Sequence, residues 1–143
     1  MPSVQRTFTV TPPPTEVIDY LKDFANATEW DPGTRSCTQN GSGPVEVGTT
    51  WHNVSKVAGL TTELEYELTE LTGQGLVFVG RNKGATSTDT ISVLPSGGGS
   101  EITYRADLDM HGIAALAAPA MKLVFERLAD ETEEQLRAVL NRR

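Results

Sequence analysis

The feature that most constrains this chain is a change of hydrophobic period near residue 112. Before that point, most segments alternate apolar and polar residues, which is the period of a half-buried strand. From Ile113 to about Leu140, apolar residues instead recur at helical spacing, with charged residues between them. The order predicts a sheet that buries one face against a long C-terminal helix.

Seven segments carry strand patterns, and the clearest runs from Leu60 to Leu71. Three glutamates occupy alternate positions there, and we interpret them as a solvated sheet face. The glycine-rich segment 95–100 lacks the Lys and Ser/Thr of a phosphate-binding loop, so we interpret it as a hairpin connection. The predicted strands are 3–11, 34–39, 49–57, 60–71, 76–81, 86–94 and 101–110.

Two short helical stretches are predicted between the first and second strands. A proline run ends the first strand, and Val17, Ile18, Leu21 and Phe24 follow at helical spacing, which predicts a helix over 14–24. Residues 26–30 favour a further turn. The following Asp-Pro-Gly, residues 31–33, is typical of a tight turn in which the Asp side chain bonds local backbone.

Length, charge and composition restrict the number of domains, the kinds of partner and the cellular compartment that we expect. A length of 143 residues predicts one domain spanning 1–143. The net charge of −7 disfavours nucleic acid, and no segment is apolar enough for integral membrane association. The amino end does not resemble a signal peptide, and the single cysteine, Cys37, cannot form an internal disulfide, so we expect a cytoplasmic protein. The spacing of His and Cys supports no metal site, and we expect no cofactor.

Several short motifs together carry a resemblance. They are Pro14-Thr15-Glu16-Val17, Trp30-Asp31-Pro32-Gly33, Gly48, Gly99-Ser100-Glu101-Ile102-Thr103-Tyr104 and Gly112. With the order of elements, they resemble the START-related helix-grip superfamily (SRPBCC), and in particular its bacterial polyketide cyclase/dehydrase-like family.

The resemblance implies an α+β helix-grip fold. A seven-stranded curved antiparallel sheet would wrap around the long C-terminal helix, with two short helices after the first strand and a cavity between sheet and helix. Members of the superfamily bind lipids, sterols, polyketides or other apolar molecules, and some are aromatases or cyclases.

The residues predicted to line such a cavity lie on the inner strand faces, on the final helix and at two tryptophans. They are Trp30, Trp51, Leu64, Tyr66, Leu68, Phe78, Tyr104, Leu108, Met110, Leu116, Ala117, Ala120, Met121 and Val124. The alternative is that they pack together as a solid core. The alanine-rich run 114–120 favours a cavity, because small side chains leave space where the helix approaches the sheet.

No catalytic set is evident, so the sequence leaves open whether the protein is an enzyme. His52 follows Trp51 in a strand, so only one of the two can face inward. Arg6 interrupts an apolar strand face. The favoured function is binding of a small hydrophobic molecule, such as a lipid or a polyketide-like compound, by a monomer or homodimer.

Two alternatives remain open. One is a polyketide cyclase, aromatase or dehydratase, with a proton shuttle drawn from Tyr66, Tyr104, His52 or Arg81. Polar side chains converging at one end of the cavity would favour it. The other is an interaction module with a filled core, which an exposed apolar patch and no internal void would favour.

Overall fold

The computed structural model describes residues 3–143, except for the side chains at positions 113, 114, 117 and 118. Its centre is a curved seven-stranded sheet in which every pair of neighbouring strands is antiparallel, in the order β1-β7-β6-β5-β4-β3-β2. The strands are β1 Ser3–Val10, β2 Thr34–Gln39, β3 Thr50–Val57, β4 Leu60–Thr72, β5 Gly75–Arg81, β6 Ala85–Ser96 and β7 Gly99–Met110. The predicted helix-grip fold is thereby confirmed.

Within the described residues, three α-helices and two 3₁₀ turns accompany the sheet. The helices are α1 Pro14–Leu21, α2 Ala27–Trp30 and α3 Ala118–Asn141, and the 3₁₀ turns are Phe24–Asn26 and Gly112–Ala117. The helix predicted over 14–24 ends earlier, at Leu21. The reason is that Asp23 has extended backbone and its carboxylate accepts a hydrogen bond from the Ala25 amide, which starts a new turn.

The hairpin between β6 and β7 is tighter than the sequence predicts. Its strands extend to Ser96 and Gly99, leaving a two-residue turn instead of the predicted loop 95–100. Gly97 and Gly98 both have positive φ, 53° and 88°, which is the backbone that such a turn requires. The register of this hairpin matters below, because it aligns polar inner-face residues of the two strands.

One end of the inner sheet face is filled by aromatic side chains, and we call it the filled end. The Phe24 ring lies 4.4 Å from the Phe78 ring and 4.5 Å from the Tyr66 ring, measured between centroids. Trp30 and Trp51 meet the edges of the same phenylalanine at 6.0 and 6.1 Å. Phe24, Trp30, Trp51 and Phe78 are fully buried, so the short helical region closes this end of the sheet.

Helix α3 is docked unevenly. In its second half Leu136, Val139 and Leu140 are buried, whereas Leu123 in its first half is 80% exposed. A separate 3₁₀ turn, Gly112–Ala117, precedes α3, and Pro119 lies in the first turn of that helix, where proline is tolerated. The helix therefore grips the sheet mainly by its C-terminal half.

Arg6 explains how the middle of α3 is held. It lies on the inner face of the edge strand β1, and its guanidinium lies 2.9 Å from carboxylate oxygens of both Glu126 and Asp130. At the end of the helix, the Asn141 side chain accepts a hydrogen bond of 2.9 Å from the Thr11 amide. The charged residue that interrupts the apolar inner face of β1 therefore forms ion pairs with α3.

Candidate functional site

A cavity of about 250 Å³ lies between the inner sheet face and the first half of α3. We call this region the hollow end. Most of its wall is apolar, contributed by β1, β3, β4, β6, β7 and α3. The apolar lining residues are Val4, Val57, Leu60, Leu64, Ala85, Ala106, Leu108, Met110, Met121, Phe125, Leu128 and Ala129. Such a wall suits an apolar ligand.

The rim of the cavity includes exposed residues at one edge. Leu60 is 69% exposed and follows the tight β3–β4 turn, while Thr62 and Asn82 are also exposed. The lining residues Tyr66, Asp89 and Tyr104 are by contrast buried. The cavity therefore has an accessible side and a deep side, and the two differ in chemistry.

Four polar side chains converge on the deep side, and we call them the polar end. They are Tyr66 on β4, Ser87 and Asp89 on β6, and Tyr104 on β7. Ser87 lies close enough to the Tyr66 hydroxyl, and Asp89 to the Tyr104 hydroxyl, for each to influence the pKa of its tyrosine. All four residues lie on the inner faces of their strands. The strand β5, which separates β4 from β6, contributes none of the cavity's lining residues, so side chains from β4 and β6 can approach each other across it.

A glycine on β5 makes this convergence possible. Gly80 pairs with Tyr66 on one side and with Ser87 on the other. A Cβ at position 80 would lie 2.6 to 2.8 Å from three atoms of the Tyr66 ring, which is closer than any side chain could tolerate. The ring can therefore lie across β5 only because residue 80 is glycine.

Asp89 dominates the electrostatics of the polar end. Burial, together with the negative charge of Asp31, raises the pKa of Asp89 to about 8, and the hydrogen bond from Tyr104 only partly opposes this. Asp89 is therefore mainly protonated at neutral pH and can donate a hydrogen bond. Burial and the proximity of Asp89 also raise the pKa of Tyr104, so its hydroxyl stays protonated.

Asp31 lies on the cavity wall but is occupied by its own turn. Its Oδ1 accepts the Gly33 amide at 3.2 Å, and its Oδ2 accepts the Thr34 hydroxyl at 2.7 Å. The local backbone bond predicted for this aspartate is confirmed. Burial raises the pKa of Asp31, and these two hydrogen bonds act in the opposite direction.

Six of the fourteen residues predicted to line a cavity are on its wall. They are Leu64, Tyr66, Tyr104, Leu108, Met110 and Met121. Four others are fully buried core residues at or near the filled end and are off the cavity wall: Trp30, Trp51, Leu68 and Phe78. Their inner-face positions were inferred from alternation, which does not indicate where along a strand the covering element lies.

The remaining four predictions fall on the last helical region. Leu116 is 83% exposed, Ala120 is exposed, and Val124 is half-buried but off the wall. The side chain of Ala117 lies outside the described residues. The stripe facing the cavity comprises Met121, Phe125, Leu128 and Thr132 instead. Two apolar stripes overlap in this sequence, and helical period alone does not say which one faces the sheet.

The histidine and arginine of the proposed proton shuttle lie elsewhere. Trp51 faces inward, so His52 faces outward, where Glu63 lies 2.7 Å from its Nε2 and Glu65 contacts its Nδ1. The bond to Glu65, followed by that to Glu63, raises the pKa of His52. Arg81 is exposed at the end of β5, off the cavity wall. Only Tyr66 and Tyr104 of that shuttle reach the cavity.

Ser87 and Asp89 are the polar groups that the sequence analysis missed. Ile91 and Val93 set the inner phase of β6, and both missed residues are in the same phase. The signal in the sequence was an acid and a hydroxyl at positions that continue the apolar inner face of β6. Ser87 and Asp89 escaped notice because the segment also contains many polar residues on its other face.

The family is established by sequence. The pattern of the family described as polyketide cyclase/dehydrase and lipid transport matches residues 1–141. The chain belongs to this family. A search of the curated proteins found no match. Among the described residues, no helix combines the length and hydropathy needed to cross a bilayer.

Solved structures share the fold of this family member at low sequence identity. A START superfamily protein from Mycobacterium smegmatis has a TM-score of 0.80 and 12% identity, covering 98% of this chain and 97% of that one. The Zhui aromatase/cyclase from Streptomyces sp. R1128 has a TM-score of 0.82 and 14% identity, covering 99% and 94%. A STAR-related lipid transfer protein from Xanthomonas axonopodis has a TM-score of 0.75 and 13% identity, covering 96% and 85%.

Proposed function

We propose that this protein binds a small, mostly apolar molecule in the hollow end. The observation that carries the proposal is the cavity of about 250 Å³ with its apolar wall and polar end. Affinity would come from burial of apolar ligand surface, at about 25 cal/mol per Å². The polar end would orient the ligand.

The contrast with the filled end supports this proposal. Protein interiors are close-packed, and atoms that border a void lose contacts that a filled core would provide. Phe24 and Phe78 show that this chain fills its interior where the short helices cover the sheet. An unfilled region beside it is best explained by a ligand that supplies the missing contacts.

A neutral fluorescent probe tests the proposal directly. N-phenyl-1-naphthylamine should bind with increased fluorescence and a saturable isotherm. Leu108→Trp should weaken this binding at least about tenfold, because the added indole fills part of the cavity. Leu94→Trp is the matched control, since Leu94 lies on the neighbouring strand β6, is 41% exposed and is off the cavity wall.

The outcomes separate clearly. Saturable binding that Leu108→Trp weakens and Leu94→Trp leaves unchanged supports the proposal. Absence of binding, or equal binding by both variants with native circular dichroism, contradicts it.

We also propose a second candidate, catalysis of carbonyl cyclisation, because polar side chains converge at one end of the cavity. A protonated Asp89 beside Tyr104 could polarise a carbonyl oxygen, and Tyr66 with Ser87 could position a second oxygen. The family description and the name of the Streptomyces relative are compatible with this chemistry. The candidate remains second because it needs a substrate bound in one productive geometry.

A simple diketone tests this candidate. 2,6-Heptanedione forms 3-methylcyclohex-2-enone by intramolecular aldol addition and loss of one water, which is followed by ultraviolet absorbance. Acceleration by the wild-type protein, lost in Asp89→Asn, would support catalysis. A rate equal to that in buffer for both proteins would count against it.

The localisation, the absence of nucleic-acid partners and the oligomeric state are proposals too. We propose a cytoplasmic protein without nucleic-acid partners, acting as a monomer or homodimer. The net charge of −7 supports the exclusion of phosphate backbones, and the free, buried Cys37 is compatible with a reducing compartment. Sedimentation analysis would decide the oligomeric state.

A further inference from the structure

The polar end contains three hydroxyl groups and the carboxyl of Asp89, and Asp31 adds a second carboxyl to the cavity wall. No basic side chain is among the described residues of that wall. An anionic head group placed there would lose its hydration and find no cation in exchange, which is costly. This composition restricts the kind of ligand that the hollow end can accept.

We propose that the ligand carries an uncharged oxygen, as in a ketone, ester or alcohol, which binds between Asp89, Tyr104 and Tyr66, and that ligands with a carboxylate or phosphate at that end are rejected. This inference rests on the proposed binding function and names its ligand class.

The number of donors supports an oxygen acceptor. Tyr66, Ser87 and Tyr104 each have one O–H group, and the protonated Asp89 has another. A carbonyl or hydroxyl oxygen can accept from this group of donors. A purely apolar ligand would leave these groups only one another as partners after water is displaced, and the loss of their bonds to water costs binding free energy.

An ammonium group fits less well than an uncharged oxygen. Both carboxylate oxygens of Asp31 already accept hydrogen bonds from Gly33 and Thr34. An ammonium would therefore compete with those two hydrogen bonds at Asp31, and it would meet Asp89 mainly protonated at neutral pH because of its burial. The hydroxyls can accept as well as donate, but they offer no compensating charge.

The groups around Asp89 define how pH should act. Tyr104 faces it from β7, Tyr66 from β4 and Asp31 from the turn before β2. Asp107 lies on the outer face of β7, where Arg105 binds it at 2.9 Å. Helix α3 adds no ionisable group among its described lining residues. Raising the pH therefore converts Asp89 from a hydrogen-bond donor into a buried carboxylate, which can only accept.

The test uses three probes with the same chain length, namely 2-decanone, decanoate and decylamine. Each is titrated into the wild-type protein at about pH 6.5 by displacement of N-phenyl-1-naphthylamine. We expect 2-decanone to bind at least about tenfold more tightly than decanoate, because an unpaired buried charge costs at least that factor. Its affinity should fall as pH rises through about 8, where Asp89 ionises.

Two variants assign the effect to the polar end. Asp89→Asn keeps a donor of similar shape and should bind 2-decanone with an affinity that no longer changes between about pH 6.5 and 9. Asp109→Asn removes one negative charge from an exposed residue of β7 that is off the wall, and it should keep the wild-type pH dependence.

The results distinguish this inference from the function on which it rests. Equal or tighter binding of decanoate, tightest binding of decylamine, or an unchanged pH profile in Asp89→Asn overturns the inference while the binding function stands. If neither the fluorescent probe nor any C10 compound binds, both the function and the inference fail.

Discussion

The filled end and the hollow end lie on the same face of one sheet, yet they are covered in different ways. At the filled end, the segment between β1 and β2 inserts Phe24 and Trp30, and the Phe24 ring contacts the rings of Trp30, Trp51 and Phe78. At the hollow end, the first half of α3 covers the sheet without filling the space beneath it. The strands are similar, so the covering element decides whether a core or a cavity forms.

This comparison also separates stability from binding. The filled end contains the largest fully buried side chains of the protein, and their burial stabilises the fold. The hollow end contains the buried acid Asp89 and the mouth residue Leu60, both of which are unfavourable for an isolated folded chain. These two features, which destabilise the free protein, therefore lie where a ligand would be bound.

The largest expected effect comes from Phe24→Ala. Phe24 contacts four aromatic rings and is fully buried, so its removal should lower the free energy of unfolding by about 3–5 kcal/mol. Leu108→Ala at the hollow end should cost less than about 2 kcal/mol, because that side chain is half-buried and already borders a void. Urea unfolding measures both free energies. Equal losses for the two variants would contradict the difference between the filled end and the hollow end.

The next effect compares the two halves of α3. Leu136→Ala should cost about 2–5 kcal/mol, since Leu136 is fully buried in the core. Leu123→Ala should change stability by no more than about 0.5 kcal/mol, because 80% of its surface is exposed. Both substitutions remove the same side-chain atoms, and both positions lie in α3. A loss above about 2 kcal/mol for Leu123→Ala would show that the first half is docked more firmly than described.

The smallest effect, taken over a single pH unit, is the dependence of stability on the Asp89 proton. The native state holds this proton up to about pH 8, whereas an unfolded aspartate loses it near pH 4. Between these values the native state binds more protons, so the contribution of Asp89 to stability decreases as pH rises. Asp89→Asn should remove this decrease, and its stability relative to wild type should grow by roughly 1 kcal/mol per pH unit and level off above pH 8.

Urea unfolding at several pH values checks the Asp89 prediction. Asp109→Asn provides the control, because Asp109 is exposed and off the cavity wall. A constant difference between Asp89→Asn and wild type from about pH 5 to 9 would show that Asp89 ionises as an ordinary aspartate does.

The sequence predicted the fold well because its periodicities are strong. The alternation in β4 placed that strand to within one residue, and the change to helical spacing predicted α3. Boundaries were less accurate where side chains act locally, as at Asp23, or where consecutive glycines allow a tight turn, as at Gly97 and Gly98.

The candidate site was predicted only in part, for a physical reason. Alternation assigns a residue to the inner face, but Tyr66 on the cavity wall and Leu68 in the core share that face and differ only in position along the strand. Which stripe of α3 faces the cavity depends on tertiary packing rather than on period. Asp89 was detectable in principle from the phase of its strand, whereas its raised pKa depends on distant residues such as Asp31.

The contact between Tyr66 and Gly80 also has an evolutionary meaning. An alanine at position 80 would displace the Tyr66 ring without altering any residue of the cavity wall except that tyrosine. Descendants of this chain that gain a side chain at 80 should therefore also replace the aromatic ring at 66. Correlated substitutions at positions 66 and 80 would then mark the lineages in which the ligand of the cavity changed.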